Sequence, residues 1–471
     1  MSGDILRAEW LLLRRDRTFL AGCAFLVVLA LYATFSGVNW QQARLVAQGQ
    51  SIDKHASQWQ REATQLAALE RGEITLADAP AVGLPHVVRT EFYLPPSGIS
   101  GLAIGEAELR PTYATISATT RAHEIFRFQE VDNPVLLGLG RFDLAFVVIY
   151  LLPLLIAGFG CSVLSVDRDS RTLQLVLSQP MTALRLATLR VGLRTMALIT
   201  ALLLGTIAGL VLTGLVGQLL SWAFVGFFAV TATYAGFWAA LALWIVSLNR
   251  GTETSALLMV VTWAVVVLIM PALATVVARE ASPMPSRLEY IVTAREAENA
   301  ANLAGRDLLQ EYLLDHPELE ATRGDAVSPF IKTFFLAQRQ VENAVTPIVE
   351  RFDAAERRQQ LWRETLRWIS PRDIASDALL LSTGNGAARF TTFERQAREV
   401  RGTWLKSVET ALISGRRLTA DEFATLPRRM FREAQPRQTA LRYATSLTAL
   451  LLFAVLIALD ARRRLARYSV A

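Results

Sequence analysis

Apolar residues along this chain gather into long runs and do not alternate with polar ones at a period of 2 or 3.6. Six runs of 17 to 25 residues stand out: Phe19–Phe35, Phe142–Ser165, Met196–Val216, Trp222–Val246, Ser255–Val277 and Tyr443–Leu459. Each is long enough, at about 1.5 Å per residue, to cross about 30 Å of hydrocarbon. The order is one span, a long polar segment, four close spans, a longer polar segment and a final span. The pattern predicts an all-α polytopic membrane protein with six transmembrane helices and two mainly helical extracytoplasmic domains. Residues 1–17 read as an amphipathic helix, with Ile5, Leu12 and Leu13 against Arg7, Arg14 and Asp16. It either lies on the membrane surface or extends the first span into the cytoplasm. The spans are expected at 18–36, 142–165, 195–216, 222–247, 254–278 and 440–460. Between them lie polar domains at 37–141 and 279–437, a connecting segment at 166–194 and a basic tail at 461–471.

Within the first polar domain, Trp40–Arg71 is rich in Gln, Ala and Glu and reads as helix. Gly and Pro break regular structure over Gly83–Ser97, and Tyr113–Thr120 alternates as a short strand. The second domain reads as almost wholly helical. Leu288–Leu314 and Pro329–Ile369 place apolar residues three and four apart. Ser370-Pro371 marks a break, Gly384-Asn385-Gly386 a turn, and Phe393–Ile413 resumes the helical pattern. Thr419 with Glu422 fits a capping box. Helices this long with narrow apolar stripes are expected to pack as hairpins.

Charge sets the expected orientation, because Arg and Lys near span ends stay in the cytoplasm. Arg7, Arg14, Arg15 and Arg17 precede the first span, and Arg168, Arg171, Arg185, Arg190 and Arg194 follow the second. Arg250 separates the fourth and fifth, and Arg462, Arg463, Arg464 and Arg467 follow the sixth. Gly217–Ser221, between the third and fourth, carries no charge. Both termini are therefore expected in the cytoplasm and both long segments outside. The net charge of +6 then describes topology and calls for no nucleic-acid partner. The first span reads as a retained signal anchor, because Phe35 interrupts the only small-residue cleavage pattern. The bias towards Arg over Lys, with the high Ala content, points to a GC-rich bacterial genome.

The chain carries little chemistry of its own. No Gly-rich stretch ends in Gly-Lys-Ser or Gly-Lys-Thr, so no ATP hydrolysis is expected here. Gly101-Leu-Ala-Ile-Gly105 reads as a turn. His55, His86, His123 and His316 are scattered, without metal-ligand spacing. Cys23 and Cys161 fall within spans as small buried thiols. Neither a catalytic residue, a cofactor nor a metal site is expected in this chain. Ionisable groups are almost absent from the spans, against a proton-coupled transporter or an intramembrane enzyme. Pro153 and Pro271 are candidate hinges, or ordinary prolines of membrane helices. Gly205, Gly209 and Gly214 read as sites of close helix packing.

From Val166 to Pro180 the chain reads VDRDSRTLQLVLSQP. Leu173, Val176 and Leu177 share one helical face and Arg171, Gln174 and Ser178 another. Asp167 and Asp169 would complement the amino end of a helix that Pro180 terminates. Residue by residue, this is either an interfacial connector or a surface that a cytoplasmic partner grips.

The segment resembles the connector of ABC transporter permeases of the type-2 exporter class. Their pattern is an acidic residue, then Gly-Thr-Leu, then Leu-Leu-Ser-x-Pro. Here it reads Asp167, then Arg171-Thr172-Leu173, then Val176-Leu177-Ser178-Gln179-Pro180, with Arg171 where the family has Gly. The amphipathic amino-terminal helix and the six spans also resemble that class. The long polar segments resemble a bacterial subgroup with two large external inserts of unassigned function. The matching pieces are Leu102–Gly105 with Pro111, Asn133-Pro134, Gly140–Asp143 leading into Tyr150–Pro153, and Ser370-Pro371 followed by Ala378-Leu379.

The resemblance implies a non-catalytic permease subunit in a bacterial inner membrane. It would pair with a dimer of ABC ATPase subunits, which hold ATP and Mg, and with a second permease, identical or related. Membrane lipid and a periplasmic protein are further expected partners. Asp167, Asp169, Arg171, Thr172, Leu173, Val176, Leu177 and Pro180 would form the ATPase-coupling interface. The surviving alternative is a non-transporting anchor or mechanotransmission subunit of an envelope complex.

Overall fold

The computed structural model describes residues 2–121, 125–126, 142–178, 181–320 and 324–467. Gln179, Pro180, His123, Asn133-Pro134, Gly140 and Arg141 lie outside the described residues. The described chain is mainly helical, with one two-stranded antiparallel sheet. Six of its helices are long and apolar enough to cross a membrane.

Helix α1 (Ser2–Leu13) leads into α2 (Arg17–Glu70), which Asp16 caps by accepting from the Phe19 amide at 3.1 Å. The sequence predicts a span ending at 36 and a separate polar helix, but α2 runs unbroken for 54 residues, about 80 Å. No proline falls between 37 and 70, and strong helix formers dominate that stretch, so nothing stops the helix at the edge of its apolar run. It ends only at Gly72, in left-handed conformation at φ +73°.

The second span is α3 (Leu144–Asp169), followed by the short α4 (Leu173–Leu177) and then α5 (Ala183–Leu212), α6 (Trp222–Ser247) and α7 (Thr252–Ala281). Thr182 caps α5, so that helix begins twelve residues before the start expected from hydropathy, and the connecting segment is correspondingly shorter than 166–194. A Cβ at Gly205 would sit 2.4 Å from the Val27 carbonyl, and one at Gly209 2.7 Å from Thr34 Cβ. These two glycines let α5 press against α2. Gly214 does not share that role: it lies beyond α5 in a turn at φ +75°, with open space around it.

Pro153 and Pro271 are each preceded by a π-helical turn, Val147–Leu151 and Val265–Ile269. Proline lacks an amide hydrogen and crowds the carbonyl four residues back; those carbonyls belong to Ile149 and Val267, inside the widened turns. In α3 the loosened carbonyls find partners. Trp263 Nε1 donates to the Tyr150 carbonyl at 3.2 Å and the Tyr234 hydroxyl to the Ile149 carbonyl at 3.4 Å.

After α7 come α8 (Arg287–Asp315) and α9 (Pro329–Leu366), which pack as the expected hairpin. Ser370 caps α10 (Pro371–Ser382); α11 (Ala387–Ser414) and α12 (Ala420–Thr425) follow, and the Thr419–Glu422 capping box is formed. The last helix is α13 (Pro436–Ala466), packed on α6. Strands β1 (Arg89–Tyr93) and β2 (Tyr113–Ser117) pair with Thr90 opposite Ile116.

The two long polar regions do not form separate domains. They share one apolar core, built from the far half of α2, the β pair and helices α11 and α12. Trp59 of α2 packs on Phe423 with ring centres 4.4 Å apart, and Phe92 of β1 stacks on Phe393 at 5.4 Å. The sequence could not announce this, because a β pair of five-residue strands has too little apolar surface to be stable alone. Residues 97–105 pin this body to the spans. Gln41 Nε2 donates to the Gly98 carbonyl at 3.0 Å, the Ile104 amide to Asp143 Oδ2 at 2.7 Å, and Asn385 Nδ2 to the Ser100 carbonyl at 2.8 Å. Gly101-Leu-Ala-Ile-Gly105 bridges two short 3₁₀ turns, Ser100–Leu102 and Gly105–Glu108, in that joint, and Gly101 lies against the backbone of Gly37. Helix α10 dips into the spanning core, with Ile374, Ala375, Ala378 and Leu379 fully buried.

Candidate functional site

At the arginine-rich end of the bundle, the predicted single helix from Val166 to Pro180 is two short ones. Ser165–Asp169 ends α3, and α4 follows after Ser170–Thr172. The break has a specific geometry. Arg171 is left-handed at φ +59°, its amide donates to the Arg168 carbonyl at 2.9 Å, and the Thr172 amide reaches the Asp167 carbonyl at 2.8 Å. That pair of bonds is a Schellman helix end, and the left-handed position is one that glycine usually fills. Arg171 takes it at a cost of roughly 1 kcal/mol.

Three side-chain ties hold the first short helix. Arg190 of α5 donates to Asp167 at 2.5 Å, to Glu9 of α1 at 3.0 Å and to the Val163 carbonyl at 2.7 Å. Arg190 and Glu9 are 12% and 15% exposed at their side chains, so this is a largely dehydrated ion cluster. Asp169 accepts from Thr252 at 2.7 Å, at the start of α7. Arg168 donates to the Asn249 side chain and, at 2.5 Å, to the Arg250 carbonyl. Asn249 is itself left-handed at φ 55°. One segment is therefore bonded to α5 and to the chain between α6 and α7, and through Arg190 it is linked to α1. Its displacement would be felt by all three.

The expected interface residues divide. Leu173 is buried in the spanning core and Val176 is half-buried, so the inner face of α4 is spent on packing. Arg171, Thr172, Gln174 and Ser178 are exposed, and Leu175 is 75% exposed between them. Asp167 and Asp169 do not cap a following helix; they anchor the segment to α5 and α7. The sequence marks Arg168 and Arg190 only as orientation charges, and gives Glu9, Asn249, Thr252 and Leu175 no place in the site. The pairings of Glu9 and Arg190 with this segment are long-range and leave no local pattern. Leu175 was visible as one apolar residue on an otherwise polar face.

A cavity of about 350 Å³ lies beside the segment, lined by Glu9, Asp16, Asp167, Arg190 and Arg194. Arg194 donates to the Phe159 carbonyl at 2.5 Å, closing its floor on α3. The two π turns with Pro153 and Pro271 lie further along α3 and α7 and are not part of this surface. Trp263, two residues before the second of these turns, donates to the Tyr150 carbonyl in the first.

Residues 287–432 match the family model of a domain of unknown function, DUF3526. The match covers helices α8 to α12 and leaves α3, α4 and α5 outside it. No curated protein and no solved structure matches the chain.

Proposed function

We propose that this chain is the membrane-spanning permease subunit of an ATP-driven ABC transporter of the type-2 exporter class. A separate ATPase dimer would dock on the exposed face of α4. The supporting observation is the left-handed Arg171 closing the first short helix. The class carries Gly at that position, and the Schellman end explains the preference. Arg171 takes the left-handed conformation that such a Gly would take, so the departure from the class pattern at this position is one of side chain.

In this reading the docking residues are Arg171, Thr172, Gln174 and Leu175, while Asp167 and Asp169 transmit force. Closure of the ATPase dimer pushes α4 and the end of α3. The ion cluster carries the push to α1 and α5, and the Asn249–Thr252 turn carries it to α7. The π turns before Pro153 and Pro271 are where such helices bend most readily. Both termini lie in the cytoplasm of a bacterium and the shared polar body lies outside, following the arginines of the short loops. Helix α7 leaves Leu257, Val261, Leu268 and Val276 uncovered, a face for lipid or for a second permease.

A mechanotransmission role has its own support in α2. That helix joins the span to the outer body without a break, so a tilt inside the membrane would move Trp59 and its neighbours as one rod. The test is purification of the complex with ATPase measured in lipid nanodiscs. Leu175→Asp should lose the ATPase subunit while the membrane protein remains folded. Retention of full ATPase stoichiometry by that variant would refute docking at α4.

A further inference from the structure

A second concave site lies far from α4, between the middle of α2, strand β1 and the chain after α12. It is a cavity of about 690 Å³, walled by Leu45, Ile52, Ala56, Pro95, Met430 and Phe431. That volume and that apolar lining are those of sites for small organic ligands, about 300–1,000 Å³. The wall is unusually exposed for a domain interior: Ile52 is 42% and Met430 87% accessible. Among the described residues nothing covers it.

The polar groups at its rim decide the ligand's charge. Glu91 is already occupied, accepting from the Tyr93 hydroxyl and, at 3.3 Å, from Ser51. Gln48 is also spent, donating to the Leu94 carbonyl at 3.0 Å. The open charges are guanidiniums. Arg428 lies over the Trp59 ring at 4.9 Å and Arg429 lines the same rim; neither has a carboxylate partner among the described residues. An apolar trough bordered by two arginines without carboxylate partners among the described residues fits a long apolar body with one anionic head.

We propose that this groove binds a single-chain amphiphile with an anionic head group, such as a long-chain carboxylic acid. The apolar chain lies along Leu45, Ile52 and Met430, and the carboxylate faces Arg428 and Arg429. The proposal stands apart from any role in transport, since it needs only the groove.

Gly49 supplies a clean test. It lines the groove, and a Cβ built there meets nothing within 4 Å. Leu at this position would fill the trough and would also favour the helix, so Gly49→Leu should fold at least as well as the parent chain. The full chain in nanodiscs is photolabelled with a palmitic acid analogue carrying a diazirine and an alkyne, and labelled peptides are mapped by mass spectrometry. Labelling of peptides 45–56 and 428–431 should exceed that of the uncovered α7 peptides at least fivefold. It should fall to the α7 level in Gly49→Leu. The double variant Arg428→Gln/Arg429→Gln should lower labelling by the acid to that of the matching alcohol. Groove labelling no stronger than α7, or unchanged in Gly49→Leu, would overturn the site. Equal labelling by acid and alcohol in the parent chain would overturn the anionic head.

Discussion

Arg190 donates to Asp167 across 2.5 Å while its Nε holds Glu9 at 3.0 Å, so one guanidinium from α5 fastens both α1 and the end of α3. Removing it would leave two carboxylates in a largely dehydrated pocket. Breaking such a pair costs about 3–5 kcal/mol when fully buried, and partial exposure here reduces that to about 2–3 kcal/mol. Arg190→Gln should therefore lower the thermal midpoint of the purified protein by several degrees. Glu9→Gln, which leaves the Asp167 bond in place, should lower it less. Equal midpoints for Arg190→Gln and the parent chain would show that the cluster contributes nothing.

Arg171 makes a different prediction, because its backbone matters more than its side chain. At φ +59° a β-branched residue is strained and glycine is not. Arg171→Gly should be neutral or stabilising by up to about 1 kcal/mol, and Arg171→Val destabilising by about 1–2 kcal/mol. Thermal unfolding in detergent reads both. The reverse order would mean that the Arg171 side chain, not the turn, is what the site retains.

The π turn before Pro153 depends on borrowed hydrogen bonds. Tyr234→Phe removes the donor to the buried Ile149 carbonyl and should cost about 1–2 kcal/mol. Pro153→Ala restores an amide and should draw Val147–Leu151 towards a regular α-turn. Amide exchange across residues 147–156 should slow in Pro153→Ala and quicken in Tyr234→Phe. No change in either would show that the turn does not rely on these groups.

Much of this molecule was legible in its sequence, for physical reasons that differ by region. The spans were clear because apolar length is a direct requirement of the bilayer. The helices of the second polar region were clear at their ends, where Ser370, the Gly384–Gly386 turn and the Thr419–Glu422 box speak locally. What could not be read was every long-range choice. The continuation of α2 past 36 depended on the absence of a stop signal. The shared polar core depended on Phe92 meeting Phe393 from the other side of the chain. At the candidate site the two faces of the segment were legible, Leu173 and Val176 against Arg171, Gln174 and Ser178, but not which of them is free: packing buries Leu173 and leaves Leu175, on the polar face, 75% exposed.

Orientation is open to chemical labelling. In a background with Cys23 and Cys161 replaced, Ala326→Cys and Thr403→Cys lie at exposed positions of the shared polar body. A membrane-impermeant maleimide should modify both in intact cells. Ser178→Cys, exposed after α4, should react only after permeabilisation. The opposite pattern would invert the topology and remove α4 from the reach of a cytoplasmic ATPase.

The most direct measurement places a photo-crosslinking amino acid at Leu175, the exposed apolar residue of α4, and irradiates living cells. The account predicts one major adduct, and mass spectrometry of it should identify an ATPase bearing Walker motifs. Efficient crosslinking at Leu175 to lipid or to other proteins, with no nucleotide-binding subunit among the adducts, would contradict it.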